Sequence, residues 1–489
     1  MKHLNPKKPI IFCSVAILVL LLLNTSAISQ EKDRETPPYP EPFSKLELPV
    51  IQSVTLSNGL FLSVVNKSKV PIISLKLVIQ AGESFSPEKT PGIATVTASM
   101  IYRGTRGISS HDITEQLESY GGTCSLTINP DYCLFSLSFL DEYLDEVLEL
   151  LSQIIIDPRF IKRDLENLKR SIYYEILRRH SNPDTVAKDH LYRLLFKNHP
   201  YSKNIYNEDV ITKISLEQIV SFYDKYYNPN NSILVLTGNL NQNTASRKVS
   251  KYFNKWRKET REITAIPSPK PRKEQKICFI DFPNENDANI YIGNIIFPYN
   301  HEDYFAFEVL SHVLGGTPNS RLFLNLRESK GYAYYAFSDT EYFKKGGVFF
   351  IRAKVRPEVC HLSITEIFEE IESIKNKKIP SFEIEQAKTN LIGNFPLKLE
   401  TYDSISQKIA ELHSYNLEQK HWSRYYENIM PVNSNIVFKA AKKYLHEPIV
   451  VVTGNKDIIV DKLTKEFKEV YVYDRKGILQ YSFKKGEEK

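Results

Sequence analysis

Apolar residues recur at helical spacing over residues 142–155, at Leu144, Val147, Leu148, Leu151, Ile154 and Ile155. This period predicts an amphipathic helix there, and residues 160–180 carry the same pattern and predict a second. Continuous apolar runs mark buried strands, as in Ile73-Ser74-Leu75-Lys76-Leu77-Val78-Ile79 and Ser232-Ile233-Leu234-Val235-Leu236-Thr237-Gly238-Asn239. Asn58-Gly59, set between apolar runs, signals a tight hairpin. Strands and helices are clustered and not strictly alternating, which predicts an α+β fold with mixed sheets.

The pattern is written twice. Pro448-Ile449-Val450-Val451-Val452-Thr453-Gly454-Asn455 repeats the Ser232–Asn239 strand 216 residues on, and an aromatic-rich helix precedes each. Asp157-Pro158-Arg159-Phe160 opens a helix containing Leu165, Glu166 and Lys169; Ile379-Pro380-Ser381-Phe382, 222 residues later, opens one containing Ile384, Glu385 and Lys388. The strand at 73–79 leading to Gly92 is matched by Ala288–Gly293 leading to Tyr304–Leu314. Three correspondences in one order mark an internal duplication. The expectation is two homologous α/β lobes, each a mixed sheet with packed helices, joined as a clamshell. Their bounds read as 49–256 and 277–475, with a charged, proline-bearing linker at 257–276 (Pro267, Pro269, Pro271) and a charged tail at 476–489.

At the N-terminus, Lys2, Lys7 and Lys8 precede an apolar run from Ile10 to Leu23, and Ala27-Ile28-Ser29 supplies small residues for cleavage. The run is shorter than the roughly 20 residues that cross a bilayer. Residues 1–29 therefore read as a signal peptide cleaved near Ser29, with 30–48 a proline-rich tether and the mature chain exported, periplasmic and without a membrane span. Removing that segment takes three lysines and no acid, so the formal charge falls from +6 to +3. So small and dispersed a charge argues against nucleic acid or an anionic membrane as the main partner. Four cysteines remain, Cys124, Cys133, Cys278 and Cys360, with no CxxC pair to bind zinc or exchange thiols. Cys124 and Cys133 flank the turn Asn129-Pro130-Asp131. One hairpin register faces them and permits a disulfide; a one-residue slip separates them.

Gly92-Ile93-Ala94-Thr95-Val96-Thr97-Ala98-Ser99-Met100-Ile101-Tyr102-Arg103-Gly104-Thr105 resembles the active helix of the insulinase/pitrilysin family of zinc peptidases, which includes the mitochondrial processing peptidases and their bacterial relatives. The resemblance continues through Gly121-Gly122, Asp157-Pro158, Glu175, Asn198-His199-Pro200-Tyr201 and Thr237-Gly238-Asn239. In the second half it runs from Gly315-Gly316 and Ser320-Arg321-Leu322-Phe323 to Leu326-Arg327-Glu328 and Gly331-Tyr332-Ala333-Tyr334. It spans roughly residues 50–470 and implies the same two-lobe build.

The departure from the family pattern carries the chemistry. Family members hold zinc on His-x-x-Glu-His, two histidines one turn apart with a glutamate as general base. Thr95, Ala98 and Ser99 stand at those positions. Neutral hydroxyls are poor zinc ligands, and alanine takes no proton. Glu175 matches the third ligand, but Leu168 replaces its supporting acid. No metal is therefore expected on this chain, and Glu175 reads as a helix glutamate paired with Arg178 or Arg179. His180, His190 and His199 read as surface or capping residues.

What is kept lies mostly in the second half. The resemblance implies that Arg327 and Tyr334, with Tyr332 as the near alternative, match an arginine and tyrosine that hold the substrate carbonyl opposite the zinc. The bland alternative pairs Arg327 with Glu328 and packs Tyr334 on a strand. Gly121, Gly122 and Thr123 match the approach to an edge strand on which substrate backbone adds. Together these imply a peptidase-like, non-catalytic subunit that binds peptide and supplies Arg327 and Tyr334 to a related zinc-bearing partner. The competing expectation is a non-enzymatic scaffold or peptide-binding protein of the same fold.

Overall fold

The computed structural model describes residues 49–105, 107–204, 208–258, 263, 265–271 and 275–484. The signal peptide and tether expected at 1–29 and 30–48 lie outside them. No helix among the described residues is long and apolar enough to cross a membrane.

Two sheets organise the chain. The first comprises β1 (Ile51–Thr55), β2 (Phe61–Asn66), β3 (Ile72–Ile79), β4 (Thr123–Ile128), β5 (Cys133–Leu140) and β6 (Ser232–Gly238), in the order β1-β2-β6-β3-β5-β4. The second comprises β7 (Lys276–Asp281), β8 (Ala288–Ile296), β9 (Ala333–Tyr342), β10 (Gly347–Val355), β11 (Ile449–Gly454), β12 (Glu469–Tyr473) and β13 (Leu479–Lys484), in the order β13-β12-β7-β11-β8-β10-β9. The repeated Thr-Gly strands take the same place in each: β6 lies parallel to β2 and antiparallel to β3, as β11 does to β7 and β8. Both are buried on both faces, which is why they read as unbroken apolar runs. The hairpin at Asn58-Gly59 joins β1 to β2; Gly59 takes φ +94°, open to glycine at little cost.

The helices that matter for the site are α1 (Ile93–Ile101), α2 (Leu144–Ile156), α3 (Lys162–His180), α4 (Pro183–Phe196), α5 (Tyr304–Gly315), α6 (Cys360–Asn376), α7 (Ser381–Asn394) and α8 (Tyr402–Ser414). The helices expected at 142–155 and 160–180 are α2 and α3 within two residues. Their apolar stripes pack with α1 against one face of the first sheet.

The lobe boundaries are less simple than the sequence suggests, because the halves exchange helices. α4, from the first half, lies on β8 and β11 of the second sheet, where Val186, Leu191 and Leu195 meet Cys278, Ile280 and Val451. α8, from the second half, lies on β3 and β6 of the first sheet, where Ile405, Ile409 and Leu412 join the cluster containing Val78, Ile233 and Val235. Each sheet has a second apolar face that its own half leaves bare, and burying that area drives the exchange. Polar contacts fix the register: Ser406 Oγ donates to Thr237 Oγ1 at 2.8 Å, Lys76 Nζ to Asp403 at 2.6 Å, and Tyr291 OH to Asp184 at 3.1 Å. Within the expected linker, the Pro267 carbonyl lies 2.9 Å from His199 Nε2, and residues 267–271 line a groove beside it. The second sheet also runs past the expected limit at 475, with Leu479–Lys484 pairing to β12 as its edge strand.

The hairpin β4–β5 adopts the register that separates its cysteines. Cys133 faces Ile128 and Cys124 faces Leu137, and both thiols are free, so the disulfide is not formed. Asn129 Oδ1 accepts the Asp131 and Tyr132 amides and sets this turn. Alkylation of the unfolded chain without reductant is accordingly expected to label Cys124, Cys133, Cys278 and Cys360. A Cys124/Cys133 pair that reacts only after reduction would establish the other register. His190 corrects another expectation: it is buried, not superficial, packing edge-on to Tyr473 with its pKa pushed down to about 4 by burial.

Candidate functional site

α1 places Thr95, Ala98 and Ser99 around one turn. Gly92, which precedes it, has no side chain to cap the helix, so its first N–H groups need another acceptor. Glu83 supplies it. This carboxylate, 2% exposed, accepts from the Thr95 amide at 2.8 Å, the Gly92 amide at 3.2 Å, the Ser86 hydroxyl at 2.8 Å and the Thr95 hydroxyl. Burial raises its pKa, and the bonds from Thr95, Ser86 and Gly92 oppose the shift. Glu83 also sits at the positive end of the helix dipole. The first ligand position of the metal motif is thus a hydroxyl committed to an internal acid.

Ala98 is completely buried in the first core, and Leu168 on α3 is packed there as well, so the lost base and the lost supporting acid have become core residues. Glu175 is exposed on α3. Its expected partners do not meet it: Arg179 reaches Asp189 at 2.8 Å, and no ion pair to Glu175 or Arg178 forms among the described residues. Thr95, Ala98, Ser99 and Glu175 do not make a zinc site, which needs at least three Cys, His or carboxylate donors converging. The only such group of three among the described residues is His301–Glu302–Asp303, remote in sequence from these positions, and its Asp303 is bound to Lys443 and Tyr444.

A cavity of about 450 Å³ opens over this ground between the two sheets. Thr95, Glu83, Glu175 and the end of β4 (Ile128) wall one side; α4 contributes Asp184, Lys188, Asp189 and Tyr192, and β9 contributes Glu341. Glu341 ties the halves together, accepting from Lys188 Nζ at 2.5 Å and Tyr192 OH at 2.6 Å. Burial, with Glu341 beside it, holds the Tyr192 phenol far above its usual range, so it acts as a donor and not as a proton source. A second tie between the halves joins two turns: Asp131 Oδ2 in the β4–β5 turn accepts the Lys344 amide of the β9–β10 turn at 2.8 Å, and Tyr201 OH donates to Asp131 Oδ1 at 2.9 Å. Glu83, Glu341 and the polar face of α4 were not singled out from the sequence. The i, i+4 spacing of Asp184, Lys188 and Tyr192 marks a polar helix face, but nothing in spacing says that this face meets the other half.

β4 is an edge strand of the first sheet, as expected. Gly121 takes φ +63°, and a Cβ on Gly122 would lie 2.6 Å from the Leu117 carbonyl that its own amide binds, so the glycine pair is required for the turn into Thr123. Thr123, Ser125 and Thr127 are exposed along it.

Arg327 and Tyr334 come together outside the cavity. Arg327 lies in a π-helical turn, Leu324–Ser329, and Tyr334 at the start of β9, the opposite edge strand. The guanidinium donates through Nη1 to the Tyr334 carbonyl, covers the Phe323 ring at 5.2 Å and stands 3.8 Å from Glu328. Both side chains are about half exposed, and neither lines the cavity. Tyr332 instead packs partly against the second core. A bulge at Tyr334 sets the direction: Ala333 pairs with Val355 and Tyr335 with Lys354, leaving Tyr334 as the extra residue.

Two sheets sharing one five-strand order (β2-β6-β3-β5-β4 and β7-β11-β8-β10-β9), exchanged helices and a metal-helix position without its ligands define a two-lobe peptidase-like fold. Two family models match: Insulinase (Peptidase family M16) over residues 63–209 and Peptidase M16 inactive domain over 213–391. The chain belongs to peptidase family M16. It is 24% identical over 388 residues to the uncharacterized zinc protease YmxG of Bacillus subtilis, covering 76% of this chain and 94% of that protein. It is 24% identical over 391 residues to the non-peptidase homolog YmxG of Helicobacter pylori (74% and 87%) and 22% identical over 465 residues to the mitochondrial-processing peptidase subunit alpha of Rattus norvegicus (88% and 86%). Among solved structures it resembles a peptidase M16 inactive domain from Pseudomonas fluorescens, with TM-score 0.77 and 22% identity over 83% of this chain and 98% of that one. A protease from Helicobacter pylori gives TM-score 0.78 and 21% identity over 83% and 100%.

Proposed function

We propose that this chain is the exported, non-catalytic subunit of a two-chain zinc metallopeptidase, binding peptide and presenting Arg327 and Tyr334 to a related subunit that carries the zinc. The observation that carries this reading is the placement of the pair. Arg327 and Tyr334 touch each other, are half exposed and stand outside the chain's own cavity. A donor pair facing outward has nothing to polarise within this chain, whereas opposite a metal-bound carbonyl it stabilises the developing oxyanion. The donor set around Thr95, Ala98 and Ser99 supports placing the zinc in the partner. Helicobacter pylori has relatives of both kinds, a non-peptidase homolog and a zinc protease. β4, with its outer edge open among the described residues, suits strand addition by substrate.

The test is purification of the mature protein from its own cells, with zinc and peptide hydrolysis assayed together. The expected outcome is a complex with a zinc-bearing relative, active only as the pair. A chain recovered alone, metal-free and inert would favour a binding or scaffold protein.

A further inference from the structure

Arg327 owes its position to a turn that an ordinary α-helix would not make. From Arg321 the chain begins as α-helix and widens at Leu324–Ser329, where the Lys330 amide bonds to the Asn325 carbonyl, five residues back, at 2.9 Å. Such wide turns are rare and less favourable than α-helix, so a particular turn needs something to hold it. Two glutamates on α6, Glu366 and Glu370, supply the hold. Asn325 Nδ2 donates to Glu370 Oε1 at 2.9 Å and lies 3.2 Å from Glu366 Oε2. Lys330 Nζ reaches Glu366 at 2.9 Å. Arg321, bound to Glu383 of α7 through two bonds of 2.7 and 2.9 Å, stands 4.0 Å from Glu370.

The spacing of these residues is informative. Asn325 and Lys330 are five apart and share one carboxylate, Glu366. At the α-helical pitch, residues five apart point about 140° away from each other and could not do so; in the wider turn they fall on one face. The amide of Asn325 turns both N–H groups to the acids, and its Oδ1 is left buried with no partner. Reversing it would set that oxygen against two carboxylates, so its orientation is fixed. Arg321, Glu366, Glu370 and Glu383 are each only about one-fifth exposed, where such bonds are less screened than at the surface, while Lys330 is 41% exposed and its bond to Glu366 is the more screened one.

We propose that Asn325, Glu366 and Glu370 are positioning residues, which impose the π turn and so aim Arg327 beside Tyr334. The importance of that aim rests on the reading of Arg327 given above; the hold on the turn does not.

Both parts can be tested separately. In the full mature chain, Asn325→Leu and Glu366→Gln are expected to speed hydrogen exchange at the Lys330 and Tyr332 amides by tenfold or more. Exchange in β8 and β11 stays unchanged, and Lys330→Arg behaves as wild type. Unchanged exchange at 330 and 332 in both variants would overturn the hold on the turn. In the zinc-bearing pair, assayed with a fluorogenic peptide, the same variants are expected to lower kcat about tenfold at constant KM and constant affinity between subunits. Adding Asn325→Leu to Arg327→Ala should cost nothing further. If Arg327→Ala lowers kcat and the Asn325 and Glu366 variants do not, the positioning role is wrong and the reading of Arg327 stands. If Arg327→Ala leaves kcat unchanged, that reading fails and the positioning role with it, while the exchange data still decide what holds the turn.

Discussion

Arg327→Ala is expected to lower the kcat of the assembled pair by about 10²–10³, the usual cost of deleting one donor to a developing oxyanion. The free chain should fold as before. Half of the side chain is exposed, its neighbour Glu328 is a surface acid, and its bond to the Tyr334 carbonyl is exposed to solvent. Affinity for the partner and KM should change little, since the donor matters most when the carbonyl oxygen gains charge. Tyr334→Phe, which keeps the ring and removes the phenol O–H, should give a smaller loss in the same direction. Steady-state kinetics of the reconstituted pair decide the matter. A kcat equal to wild type for Arg327→Ala would assign the pair to surface packing and favour the scaffold reading.

Glu83→Leu is expected to destabilise the chain by about 3 kcal/mol. It would leave the Gly92 and Thr95 amides and the Thr95 hydroxyl without their acceptor in a buried place, at about 1–3 kcal/mol for each group not rescued by water. The pH dependence has a definite sign. The Glu83 pKa is raised above its ordinary value near 4.5 in the folded chain, because burial outweighs the bonds it accepts. The folded state therefore holds this proton more tightly than the unfolded state does. Its contribution is full below about 4.5 and is lost as pH rises through the raised value. The stability gap between wild type and Glu83→Leu should be widest near pH 4.5 and narrow toward neutrality, read by urea unfolding across that range. A gap that widens with pH would mean that Glu83 is ionised and favourably bound in the folded chain.

These expectations mark where sequence reading succeeded and where it could not. Local pattern carried the helices at 144–156 and 162–180 and the Asn58-Gly59 hairpin, because period and turn chemistry are properties of neighbouring residues. Duplication showed in the Thr-Gly strands because each is buried on both faces and so reads as an unbroken apolar run in both halves. The loss of the metal motif was legible as well, since a missing histidine needs no coordinates. What failed was register and partnership. Cys124 and Cys133 could not be placed because one residue of slip changes every facing pair. Glu175 was given Arg178 or Arg179, but Arg179 is drawn to Asp189 on the next helix and no ion pair joins Arg178 to Glu175 among the described residues. His190 read as superficial because nothing along the chain announces Tyr473, 283 residues away.

By itself the sequence determined the two-fold build, through strings repeated at a fixed long spacing, and its resemblance to the zinc-peptidase family carried the family and the replacement of the usual ligands by Thr95, Ala98 and Ser99. Only the tertiary structure decided that α4 and α8 change sheets, that Glu83 fills the polar need of α1, and that Arg327 and Tyr334 meet outside the cavity on a π turn. The helix exchange joins groups 169 to 327 residues apart, and the other two join residues 12 and 7 apart that no regular helix or strand spacing pairs. Such contacts follow from which apolar faces are left uncovered and which buried donors still lack an acceptor, conditions that exist only once the sheets have formed.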